Sequence, residues 1–404
     1  MFFKNIAVTN MSGFDFVLVA IALVLAVAIA LLCTPFVIRL ANRIGVIDTP
    51  RDSRRMHHHP IPMLGGLAII TAFFASAGIV SLIVRYFNDN SLPLHYILQL
   101  LPGAAIIAVM GFFDDKYNLP AIPRLFIQCA AAGIAVAMGV RITHFSGSVT
   151  LFGQQIFDLN YLSIPITVLW IVGMTNAVNW IDGLDGLAAG VCSISAFSIL
   201  LIAIFQPGTT QLSIAVLTAA LGGACLGFLY FNKHPAKIFM GDMGAMFLGY
   251  ALSIISIQGY TKIYATVSFL VPLFILALPL LDSASAVIRR IMKGVSPTTA
   301  DRSHIHHKLV DLGLSQQQAV LLLYVSSAAL SVIAVLFSLY GTTVGWRFLV
   351  LGIITVVILF FVMLHLFRRS NEIKEKRQAN GRSAVKPADP PENDSGCESG
   401  KDGQ

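Results

Sequence analysis

Long apolar runs alternate with short polar segments along nearly the whole chain. Eleven of these runs read as transmembrane helices, at about 14–38, 64–86, 96–113, 125–142, 162–178, 187–205, 212–231, 243–258, 265–287, 318–340 and 347–367. The pattern predicts an all-α polytopic membrane protein. Its first run is too long for the core of a signal peptide, so an uncleaved first helix is expected. One segment departs from the helical pattern. Between Thr143 and Leu162, Ser146-Gly-Ser and Phe152-Gly-Gln-Gln separate alternating residues, which predicts a small hairpin over 143–162 lying on the membrane surface. Residues 1–367 are expected to form the membrane domain. Residues 368–404, charged and then rich in Pro, Gly and Ser, are expected to form a disordered tail.

Composition agrees: of 404 residues 56% are hydrophobic and only 12% charged, which leaves too little polar surface for several soluble domains. A net charge of +7 would ordinarily raise nucleic acid as a partner, but in a membrane protein basic residues mainly report orientation. The eleven spans place 22 Lys and Arg on one side and five on the other. The basic side is therefore cytoplasmic, with an outward N-terminus and a cytoplasmic C-terminal tail, and no nucleic-acid role is expected. Cys33, Cys129, Cys192 and Cys225 lie in apolar runs and Cys397 in the tail, without a CxxC pair. Neither a disulfide framework nor a structural zinc site is indicated.

The polar motifs all fall on the cytoplasmic side. Asp114-Asp115-Lys116 follows the third span. Asn176, Asn179, Asp182 and Asp185 recur every third residue after the fifth. Phe239-Met-Gly-Asp242-Met-Gly244 opens the eighth, and Asp301-Arg302-Ser303-His304-Ile-His306-His307-Lys308 precedes the tenth. A helix entering the second motif would carry Asn176 and Asn179 on one face. Gly183 and Gly186 would then end it and leave bare backbone N–H groups beside two carboxylates, a place suited to a divalent cation and a phosphate. Each motif also has a plain structural reading: a polar turn, a solvated helix end for Asp114 and Asp115, an N-cap for Asp242, an exposed loop or a zinc cluster for the histidines. His57-His58-His59 after Arg54-Arg55 reads as a basic surface for anionic headgroups or phosphates.

Five carboxylates at cytoplasmic helix ends are costly beside an apolar phase, and a bound cation offsets that cost. Every Glu lies at or beyond Glu372, so the candidate ligands are Asp and Asn oxygens, which favour Mg²⁺ or Mn²⁺ over zinc. No glycines are spaced G-x-G, and neither GxxxxGK[ST] nor HExxH occurs, which removes the dinucleotide, kinase, P-loop and zincin classes. Metal-assisted chemistry on a phosphorylated cytoplasmic substrate remains, with a co-substrate in the membrane. An ion-coupled transporter or flippase is the competing class. Its sites usually lie near the midplane, where only Asp282 is placed by the sequence, with its role undecided.

Pro60-Ile-Pro-Met-Leu-Gly65-Gly66, Gly111-Phe-Phe-Asp114-Asp115-Lys116, Asn176 to Gly190, Phe239-Met-Gly-Asp242 and Asp301 to Lys308 together resemble the polyprenyl-phosphate N-acetylhexosamine-1-phosphate transferases, in family order. That resemblance implies transfer of a sugar 1-phosphate from a UDP-sugar to a polyprenyl phosphate such as undecaprenyl phosphate, with release of UMP. It implies Mg²⁺ on Asp242 with Asn179, Asp114 and Asp115 at the reacting phosphates, Asp182 and Asp185 near the nucleotide, and Arg302, His304, His306 and His307 on the sugar-nucleotide diphosphate. Direct attack by the lipid phosphate with Asp114 as base or positioning group is favoured, and an Asp nucleophile stays open. The His304-Ile-His306-His307 order departs from the three consecutive histidines of the muramyl-pentapeptide branch and is similar to the branch using UDP-GlcNAc. UDP-GlcNAc is therefore the expected donor and UDP-MurNAc-pentapeptide the alternative. The resemblance also leaves room for a homodimer.

Overall fold

The computed structural model describes residues 11–49, 59–88, 92–151, 154–205, 211–260, 277, 280–282, 288, 290, 309–310 and 312–384. Its helices are α1 (Gly13–Ile44), α2 (Gly66–Asn88), α3 (Leu92–Tyr117), α4 (Ala121–Ala137), α5 (Ser163–Ile181), α6 (Leu187–Phe205), α7 (Gln211–Asn232), α8 (Gly241–Tyr260) and α9 (Gln316–Ala384). The hairpin expected over 143–162 is present as antiparallel β3 (His144–Leu151) and β4 (Gln154–Asp158). A second short antiparallel pair, β1 (Ile47–Asp48) with β2 (Ile61–Pro62), was not foreseen.

Local chemistry sets the ends of α1. Ser12 accepts from the Asp15 backbone N–H while Asp15 reaches back to the Ser12 N–H, and Gly45 closes the helix at φ 74°. Packing then follows small residues, as it must where lipid gives helices no hydrophobic reason to associate. Gly223 and Gly227 of α7 lie against Leu23, Ala26, Val27 and Ala30 of α1, so close that a Cβ on Gly223 would stand 2.6 Å from the Leu23 carbonyl. The first turns of α8 are held more tightly. Gly66 of α2 meets the backbone of Gly244, and Gly111 of α3 meets that of Met243. Further along, a Cβ on Gly249 would lie 2.5 Å from the Met174 carbonyl of α5. Helix α8 is therefore held by α2 and α3 at its N-terminus and by α5 about two turns further on.

Seven helices among the described residues are long and apolar enough to cross a membrane: α1, α2, α3, α5, α6, α7 and the first part of α9. This supports a polytopic α-helical membrane protein without reaching the eleven spans expected. Helix α4 has 17 residues, or about 25 Å, short of a bilayer's roughly 30 Å. Helix α8 carries Ser253, Ser256 and Gln258 and lies buried among other helices. The expected span at 265–287 falls almost entirely outside the described residues. The expected spans at 318–340 and 347–367 share one helix of 69 residues. No proline interrupts 316–384, and the glycines between the two apolar runs weaken a helix without breaking it. That helix continues to Ala384, where disorder was expected from 368; the segment is rich in Glu, Lys, Arg, Gln and Ala, all good helix formers.

Candidate functional site

The C-terminal ends of α1, α3, α5 and α7 and the N-terminal ends of α2 and α8 meet around a cavity of about 870 Å³. Asp48, Asp114, Asp115, Asp182, Asp185 and Asp242 all line it. Besides Asp48, the structure thus brings together the five candidate carboxylates, which the sequence spreads over the 129 positions from Asp114 to Asp242.

Asp242 sits at the centre. Asn179 Nδ2 of α5 donates to its Oδ1 at 2.6 Å, and Arg124 Nη1 stands 3.8 Å from its Oδ2. About a third of the Asp242 side chain (34%) opens on the cavity, although protein atoms surround it densely. Its neighbour Asp114 is 3% exposed. Asp114 Oδ1 accepts the Leu119 N–H at 2.8 Å, its Oδ2 accepts Arg124 Nη1 at 2.7 Å, and its carboxyl is within hydrogen-bonding reach of Asp242. Arg124 was missed in the sequence. It is the only basic residue between Lys116 and Arg141, and that isolation next to an acid pair was a usable signal.

The Pro60–Gly66 stretch, which had no assigned task, and Asp115 together aim Asp242. The Phe239 N–H donates to the Pro62 carbonyl at 2.9 Å, the Gly65 N–H donates to the Phe239 carbonyl at 2.9 Å, and the Gly66 N–H donates to the Met240 carbonyl at 2.8 Å. The Pro60–Gly66 stretch is therefore a backbone splint for the turn before α8. Asp115 completes it. Its Oδ1 accepts the Asp242 N–H at 2.7 Å and its Oδ2 the Met243 N–H at 3.3 Å, so it caps α8 from α3. Gly241, at φ +70°, passes against that carboxylate with no room for a Cβ. The capping role weighed for Asp242 thus belongs to Asp115.

Asp182 ends α5 and faces the cavity. Burial, then the charges of Asp242 and Asp185, push its carboxyl up to about 8. The amides beside it are not bare as expected. The Gly183 N–H donates to the Ile181 carbonyl at 2.8 Å and the Gly186 N–H to Asn232 Oδ1 at 3.1 Å, so neither is offered to a phosphate. Asn232, 2% exposed, also donates to the Ile238 carbonyl at 2.9 Å and ties the Asp182 loop to the Asp242 turn. Asn176 turns away from the cavity; its Nδ2 donates to Gln128 Oε1 at 2.6 Å. Asp185 lies in the cavity wall against His234 and Ala236. Arg302, His304, His306 and His307 lie outside the described residues, as do His57 and His58, while His59 lines the cavity.

Among the described residues, no three His, Cys, Asp or Glu side chains close up into a metal cage. Mg²⁺ rarely needs one: it keeps several waters and takes one or two carboxylates plus the phosphates of its substrate. Asp242 and Asp182 on a cavity wall, with Asn179 beside them and a carboxyl that burial disfavours as a charge, fit that donor set.

A helical membrane protein with an acidic cavity where helix ends converge is the class that fold and site define. The chain belongs to glycosyl transferase family 4, whose family model matches residues 97–260. It is 38% identical over 346 residues to a probable undecaprenyl-phosphate N-acetylglucosaminyl 1-phosphate transferase of Bacillus subtilis, covering 86% of this chain and 91% of that protein. It is 32% identical over 369 residues to a decaprenyl-phosphate N-acetylglucosaminephosphotransferase of Mycolicibacterium smegmatis, covering 85% and 87%. An Escherichia coli K12 undecaprenyl-phosphate alpha-N-acetylglucosaminyl 1-phosphate transferase is 29% identical over 339 residues, covering 83% and 87%.

Proposed function

We propose that the protein transfers N-acetylglucosamine 1-phosphate from UDP-GlcNAc to undecaprenyl phosphate, releasing UMP, at the cytoplasmic face of a bacterial plasma membrane. The product would prime a lipid-linked envelope glycan such as a teichoic acid or O-antigen. The observation that carries this reading is the Asp114–Arg124–Asp242–Asn179 constellation at one end of a membrane bundle, in a chain whose relatives are named for this transfer.

Asp242 and Asp182, with Asn179, would hold Mg²⁺, which supplies positive charge to the donor diphosphate and lets an anionic acceptor approach. The chain's own groups do the rest. Asp114 is the candidate base for the acceptor phosphate, and Arg124 must loosen its 2.7 Å hold for that carboxylate to take a proton. Released, Arg124 can turn its guanidinium to the developing phosphate charge. Asp115, with both oxygens on backbone amides, keeps α8 and Asp242 in place while still lining the cavity in which the phosphates would react.

Purified protein with radiolabelled UDP-GlcNAc and undecaprenyl phosphate should yield labelled lipid and equimolar UMP, and excess UDP-MurNAc-pentapeptide should barely suppress it. Labelled UDP-GlcNAc left intact, or preferential use of the muramyl nucleotide, would overturn the proposed donor.

A further inference from the structure

The reaction proposed above uses no side chain from 233–237, the loop between α7 and α8, although that loop forms part of the cavity wall. Asp185 Oδ2 accepts the Ala236 N–H at 3.1 Å and faces His234 Nδ1 at 2.8 Å. A carboxylate only accepts, so Nδ1 carries the proton. Nε2 is then the ring's second polar atom, on a side chain that is 40% exposed and lines the cavity. Lys237, three residues on, lines it too. Six Asp face the same space, and among its described lining residues only His59, His234 and Lys237 can carry positive charge. A phosphate entering there is repelled by the carboxylates and attracted by these groups, by Arg124 beside Asp242 and by a bound cation.

We propose that His234, fixed by Asp185, binds a phosphate of the donor nucleotide through Nε2, with Lys237 as the adjoining charge. Asp185 is then a positioning residue that acts through the imidazole. The assignment deepens the proposed function and rests on it, because it takes the donor to be a nucleoside diphosphate sugar. The competing role for His234 is a loop staple, using Nδ1 alone.

Two substitutions separate these roles. An Asn side-chain amide overlays Nδ1 and a Gln amide overlays Nε2. H234N therefore keeps the bond to Asp185 and loses the ligand-facing atom, while H234Q does the reverse. If Nε2 binds phosphate, H234N raises the KM for UDP-GlcNAc about tenfold. Its kcat, its KM for undecaprenyl phosphate and its Tm stay near wild type, and H234Q retains the greater donor affinity. Calorimetric UMP binding weakens in H234N by a similar factor while uridine binding is unchanged. Wild-type UMP affinity in H234N, or equal loss of uridine and UMP affinity, overturns the proposal. Wild-type protein that releases no UMP sinks the proposed reaction alone, because the UMP and uridine titrations still decide the role of His234.

Discussion

Both ends of the bundle bury polar side chains, and they differ in kind. At the hairpin end, Gln258 Nε2 donates to Gln99 Oε1 at 2.9 Å, Gln99 Nε2 donates to the Met138 carbonyl at 2.7 Å, and the Ile142 N–H donates to Thr167 at 3.0 Å. Every partner there is neutral, and the bonds join α3, α4, α5 and α8 without leaving a charge to balance. At the cavity end the buried groups are carboxylates from helix ends far apart in sequence, and within their direct contacts Arg124 is the cation that pairs Asp114 and approaches Asp242. Neutral amides in a bundle specify which helices meet. Crowded carboxylates cost stability and persist where an incoming cation and phosphate complete them.

Substitutions should break the two ends differently. The largest effect is expected from Asp114→Asn, which removes the candidate base and leaves Arg124 partly unpaired; turnover should fall by roughly 10²–10⁴ while the protein still purifies as a monodisperse species. An initial rate within a few fold of wild type would remove Asp114 from the chemistry. Arg124→Ala should come next, with loss of turnover and of about 2 kcal/mol of stability in thermal unfolding. Arg124→Lys should restore part of each, since a point charge replaces a fork. Gly66→Ala tests the splint. Its Cβ would collide with the Gly244 backbone and push α2 off α8, costing about 1–3 kcal/mol together with apparent Mg²⁺ affinity. At the other end Gln99→Leu should lower stability by about 1 kcal/mol and leave kcat and both KM values unchanged.

Much of this contrast was legible in the sequence. Hydropathy located seven helices that, among the described residues, are long and apolar enough to cross a membrane, because length and apolarity are local properties. It also put Asp114, Asp182 and Asp242 on one side, because basic loops report the side of the membrane. Partnerships were not legible. Nothing local says that Asp115 caps a helix 127 residues later, that Pro60–Gly66 splints the Asp242 turn, or that Asn232 takes the Gly186 amide. Those contacts exist only once α2, α3, α5, α7 and α8 are packed. The continuity of the 69-residue α9 was not legible either: the two apolar runs at 318–340 and 347–367 read as separate spans, and no residue between them prevents a helix.

The central claim is that the cavity carboxylates hold a divalent cation for phosphoryl transfer. Its most direct test is the rate of UMP release against free Mg²⁺ for wild-type protein and Asp242→Asn. Wild type should be inactive in EDTA and recover along a saturable Mg²⁺ curve, while Asp242→Asn, folded and with an unchanged Tm, should show negligible turnover or a strongly right-shifted curve. Full wild-type activity in EDTA, or superimposable curves for the two proteins, would contradict the account.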